Sequence, residues 1–495
     1  MKKIIIIGAG IAGLTAGVYA RLNGFDTELY EMHDKPGGEC TGWNRGGYHF
    51  DGCLHWLVGT KPGTSLNAIW KDTGALDDLT VIVNHEIFAR YELEGRTFNV
   101  YSDADRLESH MTELSPKDGK EAAKFCADLK AMGSMDIPLE KPFDMIDLKA
   151  GVKYAAKHLA QMAMMNRYEK MKPEKFLSRF KDPLIKMAFS SIMALGSKPS
   201  WLLMTLGCLS DGDSGIPLGG SLALAKRMEK RYLDLGGKAF YKAKTDRIKV
   251  KDGRAQGIVL SDGRESDADY VISAADGYAT LYGMLSDKYT PESFKVLFGD
   301  NDRYPTIKTS MVMMGVNCDF RDKPHSITWK LDSPIDGGGM PNETMGISHY
   351  CYDPSMAPEG KSVIGCVLGS SFDYWNELHA DRERYRAGKK KLEADVISAV
   401  ISRFPELDGR IEVMDVATPV TYVRYCNAWR GSWMSWAPGG KVSSYYSGVL
   451  PGLEGFIMAG QWTLPPGGLP GAAMAGRFAV QRLCIRDGIG FRTSQ

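Results

Sequence analysis

Lys3-Ile4-Ile5-Ile6-Ile7-Gly8-Ala9-Gly10-Ile11-Ala12-Gly13 is the stretch that decides the fold. An unbroken β-branched run of this length predicts a strand buried on both faces of a parallel sheet. The chain then turns through G-x-G-x-x-G, and apolar residues at helical spacing continue to Leu22. A second strand is expected over Asp26 to Tyr30, with Glu31 directly after it. Strand, glycine turn, helix, strand and acid in this order form the fingerprint of a dinucleotide site. Gly8 makes the tight turn, Gly10 admits a pyrophosphate to the backbone, and Gly13 lets the helix lie on the strand. At the helix start, Ile11 and Ala12 present unpaired N–H groups to the phosphates. Glu31 would accept hydrogen bonds from ribose hydroxyls.

The rest of the composition narrows the class. A chain of 495 residues is long for one compact domain, and 44% hydrophobic with 24% charged residues is ordinary globular chemistry. Lys+Arg 61 against Asp+Glu 60 leaves a net charge of +1, so no global charge points to nucleic acid. Nine cysteines without a C-x-x-C pair fit neither a zinc site nor a disulfide framework, and a cytoplasmic protein is expected. Met1-Lys2-Lys3 with four isoleucines imitates a signal peptide, but the apolar run stops at Gly8 and no small-residue cleavage site follows. The nearest approach to a spanning helix, Met187 to Leu209, is interrupted by Lys198, Pro199 and several serines. The expectation is a soluble protein or one peripheral on a membrane, with no metal site.

The next residues choose between dinucleotides. Lys35-Pro36-Gly37-Gly38 follows the acid, and then comes Gly46-Gly47-Tyr48-His49-Phe50-Asp51. With these blocks the chain resembles the two-dinucleotide-binding flavoproteins of the amine oxidase superfamily. The resemblance is to the phytoene desaturase, carotenoid isomerase and retinol saturase group in particular. It continues through Ile216-Pro217-Leu218-Gly219-Gly220-Ser221 and two D-G hairpin turns at Asp252-Gly253 and Asp262-Gly263. It extends to Tyr352-Asp353-Pro354-Ser355-Met356-Ala357-Pro358-Glu359-Gly360-Lys361, read as a turn between strands, and to Ala417-Thr418-Pro419, read as a strand exit. The last block is Gly455 to Gly460, Gln461-Trp462-Thr463, then Gly467-Gly468-Leu469-Pro470-Gly471-Ala472.

The resemblance implies FAD, held by Gly8, Gly10, Ile11, Ala12, Gly13, Glu31, Gly37, Gly38, Thr245, Ala275, Gly460, Gln461, Gly468, Leu469, Pro470, Gly471 and Ala472. Thr245 would meet the adenine through its backbone, and the helix opening at Pro470 would point its dipole at the pyrimidine end of the isoalloxazine. Two positions depart from the family: Gln461 stands where Asp is usual, and Glu39 where related proteins often carry Arg. Both change the charge near the pyrophosphate. The implied fold is α/β, a Rossmann-like FAD-binding domain of parallel sheet plus β-meander with an inserted mixed α+β substrate domain. Its segments are 1–68, 214–280 and 447–495 for FAD, and 69–213 with 281–446 for substrate.

On the substrate side Met162, Met164, Met165, Met187, Met193 and Met204 either line a channel for a long apolar ligand or fill plain core. Leu148 to Lys186 holds ten Lys/Arg against three acids, a local charge of +7. Lys149, Lys153 and Lys157 share a helix face beside an apolar stripe of Val152, Ala156, Leu159 and Ala163. Such a helix either docks on an anionic membrane or is a solvated face. His55, in Cys53-Leu54-His55-Trp56, is the one candidate catalytic residue: an acid or base beside the flavin, or a packed histidine supporting it. Trp43 and Trp56 are expected to wall the site. The expected activity is that of an FAD-dependent oxidoreductase acting on C=C or CH–CH bonds of a lipophilic substrate by hydride transfer at flavin N5. Net desaturation or saturation also needs an external electron acceptor or donor. The rival readings are a flavin amine oxidase and a non-catalytic escort for prenylated proteins.

Overall fold

The computed structural model describes residues 1–133, 135–193, 198–437 and 441–494. Its first layer is a five-stranded sheet in the order Phe456–Met458, Tyr270–Ser273, Lys3–Ile7, Asp26–Tyr30 and Lys238–Phe240, every pair parallel. The isoleucine run takes the centre because Ile4, Ile5 and Ile6 are fully enclosed, with Ile4 and Ile6 in one apolar cluster and Ile5 in another. Two helices, Ile11–Leu22 and Leu469–Arg486, lie against one another beside this sheet. Their approach is set by Gly476, where any Cβ would overlap the carbonyl oxygen of Ala12. Both helix N-termini therefore open on the same side. The D-G turns produce an antiparallel meander of Thr245–Lys251, Arg254–Leu260 and Glu265–Asp267.

The second large sheet has seven strands, in the order Ile411–Ala417, Thr309–Val316, Ser362–Gly369, Pro341–His349, Ser326–Asp336, Ile87–Leu93 and Arg96–Tyr101. It is antiparallel except where Ser326–Asp336 runs parallel to Ile87–Leu93, so a strand pair from early in the chain completes a sheet built late. The helices from Ala104–Leu114 to Pro199–Ser210 pack on that outer pair around Phe125, Phe176, Phe180 and Phe189. Among the described residues no helix is long and apolar enough to cross a membrane.

Two local expectations are refined. The Tyr352–Lys361 segment does join strands Pro341–His349 and Ser362–Gly369. It also ties the sheets together, since buried Asp353 accepts from the Gly219 N–H at 2.6 Å, just before helix Gly220–Asp234. Thr418-Pro419 leaves a strand as expected but enters helix Pro419–Cys426, with Thr418 and Thr421 forming a capping box.

Candidate functional site

Two cavities adjoin between the sheets. The first, of about 460 Å³, runs along the carboxyl ends of the parallel strands. Crevices at this end of a parallel sheet are where such folds take ligands. Gly8, Gly10, Ile11, Ala12, Glu31, Gly37, Gly38, His55, Thr245, Ala275, Gly460, Gln461, Gly468, Leu469, Pro470, Gly471 and Ala472 all line it. Gly13 does not reach the cavity. It packs behind it, where a Cβ would overlap the Gly8 carbonyl oxygen. The paired Gly37-Gly38 is held by a bond from the Gly37 N–H to the Ala9 carbonyl at 2.8 Å, and a Cβ on Gly38 would come within 3.5 Å of the Gly10 Cα. Side chains there would fill the space a pyrophosphate needs.

Glu31 is buried, and its carboxylate accepts from the backbone N–H of Ala9 at 2.7 Å and of His33 at 2.8 Å. It thus braces the glycine turn itself. The Thr245 hydroxyl is buried without a partner among the described residues. Glu39 also lines the cavity, and burial followed by the charge of Asp276 pushes its carboxyl well above the usual range. Asp276 is likewise pushed up to about 6 by burial, against hydrogen bonds from the N–H groups of Ala279 and Trp429. This wall therefore carries two carboxyls held toward the neutral form.

Asp51 explains the G-Y-x-F-D element. It is 1% exposed and accepts from the Cys53 and Leu54 N–H groups at 2.9 Å and from the Ser221 N–H and hydroxyl at 2.6 Å. This clamp fixes the loop that carries His55. No role was expected of Asp51 or Ser221; the signal was an acid two residues before a backbone turn. His55 stands edge-on to Trp433, ring centroids 6.1 Å apart, and burial lowers its pKa while Asp51 opposes the shift. It is therefore held neutral near pH 7, able to accept a proton but not to act as a stored cation.

His55, Trp56 and Trp433 belong to both cavities and form the passage between them. The second, of about 720 Å³, lies on the seven-stranded sheet. Ser326, Thr328, Gly346, Ser348, Gly365, Val367 and Gly369 form its floor, alternate residues of three adjacent strands. The intervening Ile327, Trp329, Met345, Ile364, Cys366 and Leu368 fill the core on the opposite face. Val367 is 36% exposed in the middle of a sheet because it faces this chamber. Sequence reading passed over this floor, whose signal was small residues alternating with large ones in three strands.

One expectation is corrected, and for the methionines the core alternative holds for most. Of the six methionines only Met204 lines either cavity; Met164 and Met193 are core, Met165 and Met187 pack against it, and Met162 is exposed. They lie on helices whose inward faces meet phenylalanines rather than a ligand. Trp43 is no wall of the site, since its ring packs on Phe50 and its N–H donates to Asp415 at 3.0 Å. The basic helix is found where predicted, as Leu148–Lys157 followed by Leu159–Glu169. Leu148 is 83% exposed, Val152 60% and Leu159 68%, with Ala156 and Ala163 exposed beside them. Lys149, Lys153 and Lys157 make no ion pair among the described residues.

Comparison with known proteins places this geometry. The model of the flavin containing amine oxidoreductase family matches residues 11–484. A lycopene-forming phytoene desaturase from Pseudescherichia vulneris is 27% identical, over 98% of this chain and 100% of its own length. Prolycopene isomerase 1 of an Oncidium hybrid cultivar is 25% identical, over 98% and 84%. Among solved structures, a putrescine oxidase redesigned in its cofactor binding superimposes with a TM-score of 0.64 at 14% identity, over 98% of this chain and 99% of its own.

Proposed function

The chain belongs to the flavin-containing amine oxidoreductase family and is an FAD-dependent oxidoreductase; on that premise we propose that it changes the saturation or geometry of carbon–carbon bonds in a long isoprenoid-like substrate. The observation that carries this is the chamber whose sheet floor is built of small side chains and which joins the cofactor cavity through His55, Trp56 and Trp433. Relatives named for phytoene and prolycopene point to the same substrate class.

The residues fit FAD. Backbone at Gly8, Gly10, Gly37 and Gly38 would hold the pyrophosphate at the start of helix Ile11–Leu22, with Gly13 keeping that helix on its strand. Glu31, Thr245 and Ala275 would meet the adenosine, and Gly460, Gln461 and Gly468 to Ala472 the flavin end. FAD, when bound, supplies hydride exchange at N5 with a substrate carbon. The positive end of helix Leu469–Arg486 would favour negative charge on a flavin bound before it. Trp56 and Trp433 orient the chain of the substrate, and His55, neutral and half-enclosed, supports the ring or takes a proton.

In this reading segments 1–68, 214–280 and 447–495 serve the cofactor, and 69–213 with 281–446 the substrate. The exposed stripe of Leu148, Val152 and Leu159, beside its three lysines, docks on an anionic membrane. Helix Leu159–Glu169 packs on Pro199–Ser210, whose Trp201, Met204 and Thr205 line the cofactor cavity, so the docked face lies one helix away from it.

The test is anaerobic mixing of holoprotein with a polyene in liposomes and with a primary amine. Polyene should bleach the oxidised flavin band, or be isomerised once the flavin is reduced beforehand, and amine should do neither. Bleaching by amine with an unaltered polyene would overturn the reading.

A further inference from the structure

The chamber over the seven-stranded sheet is furnished for more than a hydrocarbon. Tyr350 lines it at 6% exposure, and its hydroxyl has no hydrogen-bond partner among the described residues. Tyr352, whose ring centroid lies 6.3 Å away, also lines the chamber with an unpartnered hydroxyl. His325 borders the same end at 9% exposure, stacked on His85 with centroids 3.8 Å apart. Buried donors without acceptors are costly and uncommon, and a hydrocarbon filling this end would leave both phenols unpaired.

Charge separates the two ends. The charged residues of the lining, Lys308, Asp373 and Arg430, gather where Thr309 pairs with Gly369. Tyr350 is bonded through its N–H to the Val363 carbonyl, six residues earlier on that strand and roughly 20 Å away at strand rise. Burial first, and then the charge of Asp51, joined at Tyr352 by that of Asp353, keeps both phenols protonated. An ionised carboxylate brought there would find no cation. We infer that the substrate carries a neutral oxygen, a hydroxyl or carbonyl, at the end held by Tyr350 and Tyr352. This rests on the reading of the chamber as the substrate site, and it sets the protein apart from an enzyme for pure hydrocarbons.

Three ligands with one branched C20 skeleton test it: phytol, phytane and phytanic acid, titrated into FAD holoprotein and followed by tryptophan quenching from Trp56 and Trp433. Phytol should bind about 30-fold more tightly than phytane, and more tightly than ionised phytanate. Tyr350→Phe with Tyr352→Phe should remove most of that preference. The comparison on the unaltered protein already decides the matter if the double variant does not fold. Phytane binding as tightly as phytol, with both lost in Val367→Trp, would overturn the oxygen anchor and leave the chamber standing. A preference for phytanate that disappears in Lys308→Met would also overturn it, by placing the oxygen at the other end. If no ligand binds, the chamber reading falls too.

Discussion

The two sheets make room for their ligands by opposite means. On the five-stranded sheet the space is made by backbone: a Cβ at Gly13 or Gly37 would overlap the carbonyl oxygen of Gly8 or Cys40, and two helix N-termini supply N–H groups. On the seven-stranded sheet the space is made by side-chain size, with Ser, Thr, Gly and Val on one face and Trp, Met, Ile and Leu on the other. Backbone sites demand particular residues at fixed spacing, whereas a cleared floor asks only for small ones. The first kind therefore leaves a motif and the second does not.

Breaking the comparison at its most demanding point calls for Gly13→Ala. Its Cβ would overlap the Gly8 carbonyl, so the helix must leave the strand, and about 3 kcal/mol or more of stability should be lost together with FAD content. Denaturant midpoints and the flavin released on unfolding measure both. An unchanged midpoint would mean the glycine serves no packing role.

The docking helix offers a third kind of surface, built on charge. Each lysine near an anionic bilayer contributes about 1 kcal/mol, so Lys149, Lys153 and Lys157 together replaced by glutamine should lower vesicle binding by about 3 kcal/mol at low salt. Flavin content should stay as it is, and high salt should erase the difference between variant and parent. Equal flotation of both with anionic liposomes at low salt would identify the stripe as a solvated face.

On the floor of the chamber, Val367→Trp fills space without straining the strand. Turnover should fall about 100-fold, or roughly 2.7 kcal/mol, with FAD retention and melting temperature near those of the parent. Full activity in this variant would separate the chamber from the chemistry. The smallest effect is expected on the cofactor side. Glu31→Ala removes a charged acceptor worth about 1–3 kcal/mol, so FAD should bind about tenfold more weakly. Because Glu31 also braces the Ala9 and His33 N–H groups, Glu31→Gln should recover part of the loss. Unchanged FAD affinity in Glu31→Ala would remove that residue from the ribose site.

Legibility followed the same divide. The strand at Lys3–Ile7, the helix to Leu22, the strand ending at Tyr30 and the two hairpins could be read because period and turn chemistry are local. The departures at Glu39 and Gln461 were visible only against the pattern of the family that the chain resembles. The methionines stayed open between channel and core because helical spacing does not say which neighbour a face meets, and here phenylalanines met it. Trp43 misled because its strand, Gly42–Arg45, turns the ring toward Asp415, more than 370 residues later.

The amino-acid sequence alone determined the first strand–turn–helix–strand unit, its glycine turn and the helix N-terminus that opens on the crevice, because these lie within about 30 positions of one another. Tertiary structure decided the rest. Only the pairing of strands at 326–336, 341–349 and 362–369 turns scattered small residues into one floor. Only the Asp51–Ser221 clamp brings His55 to the passage between cavities. Contacts made across such separations depend on how whole elements pack, and local periodicity carries no record of them.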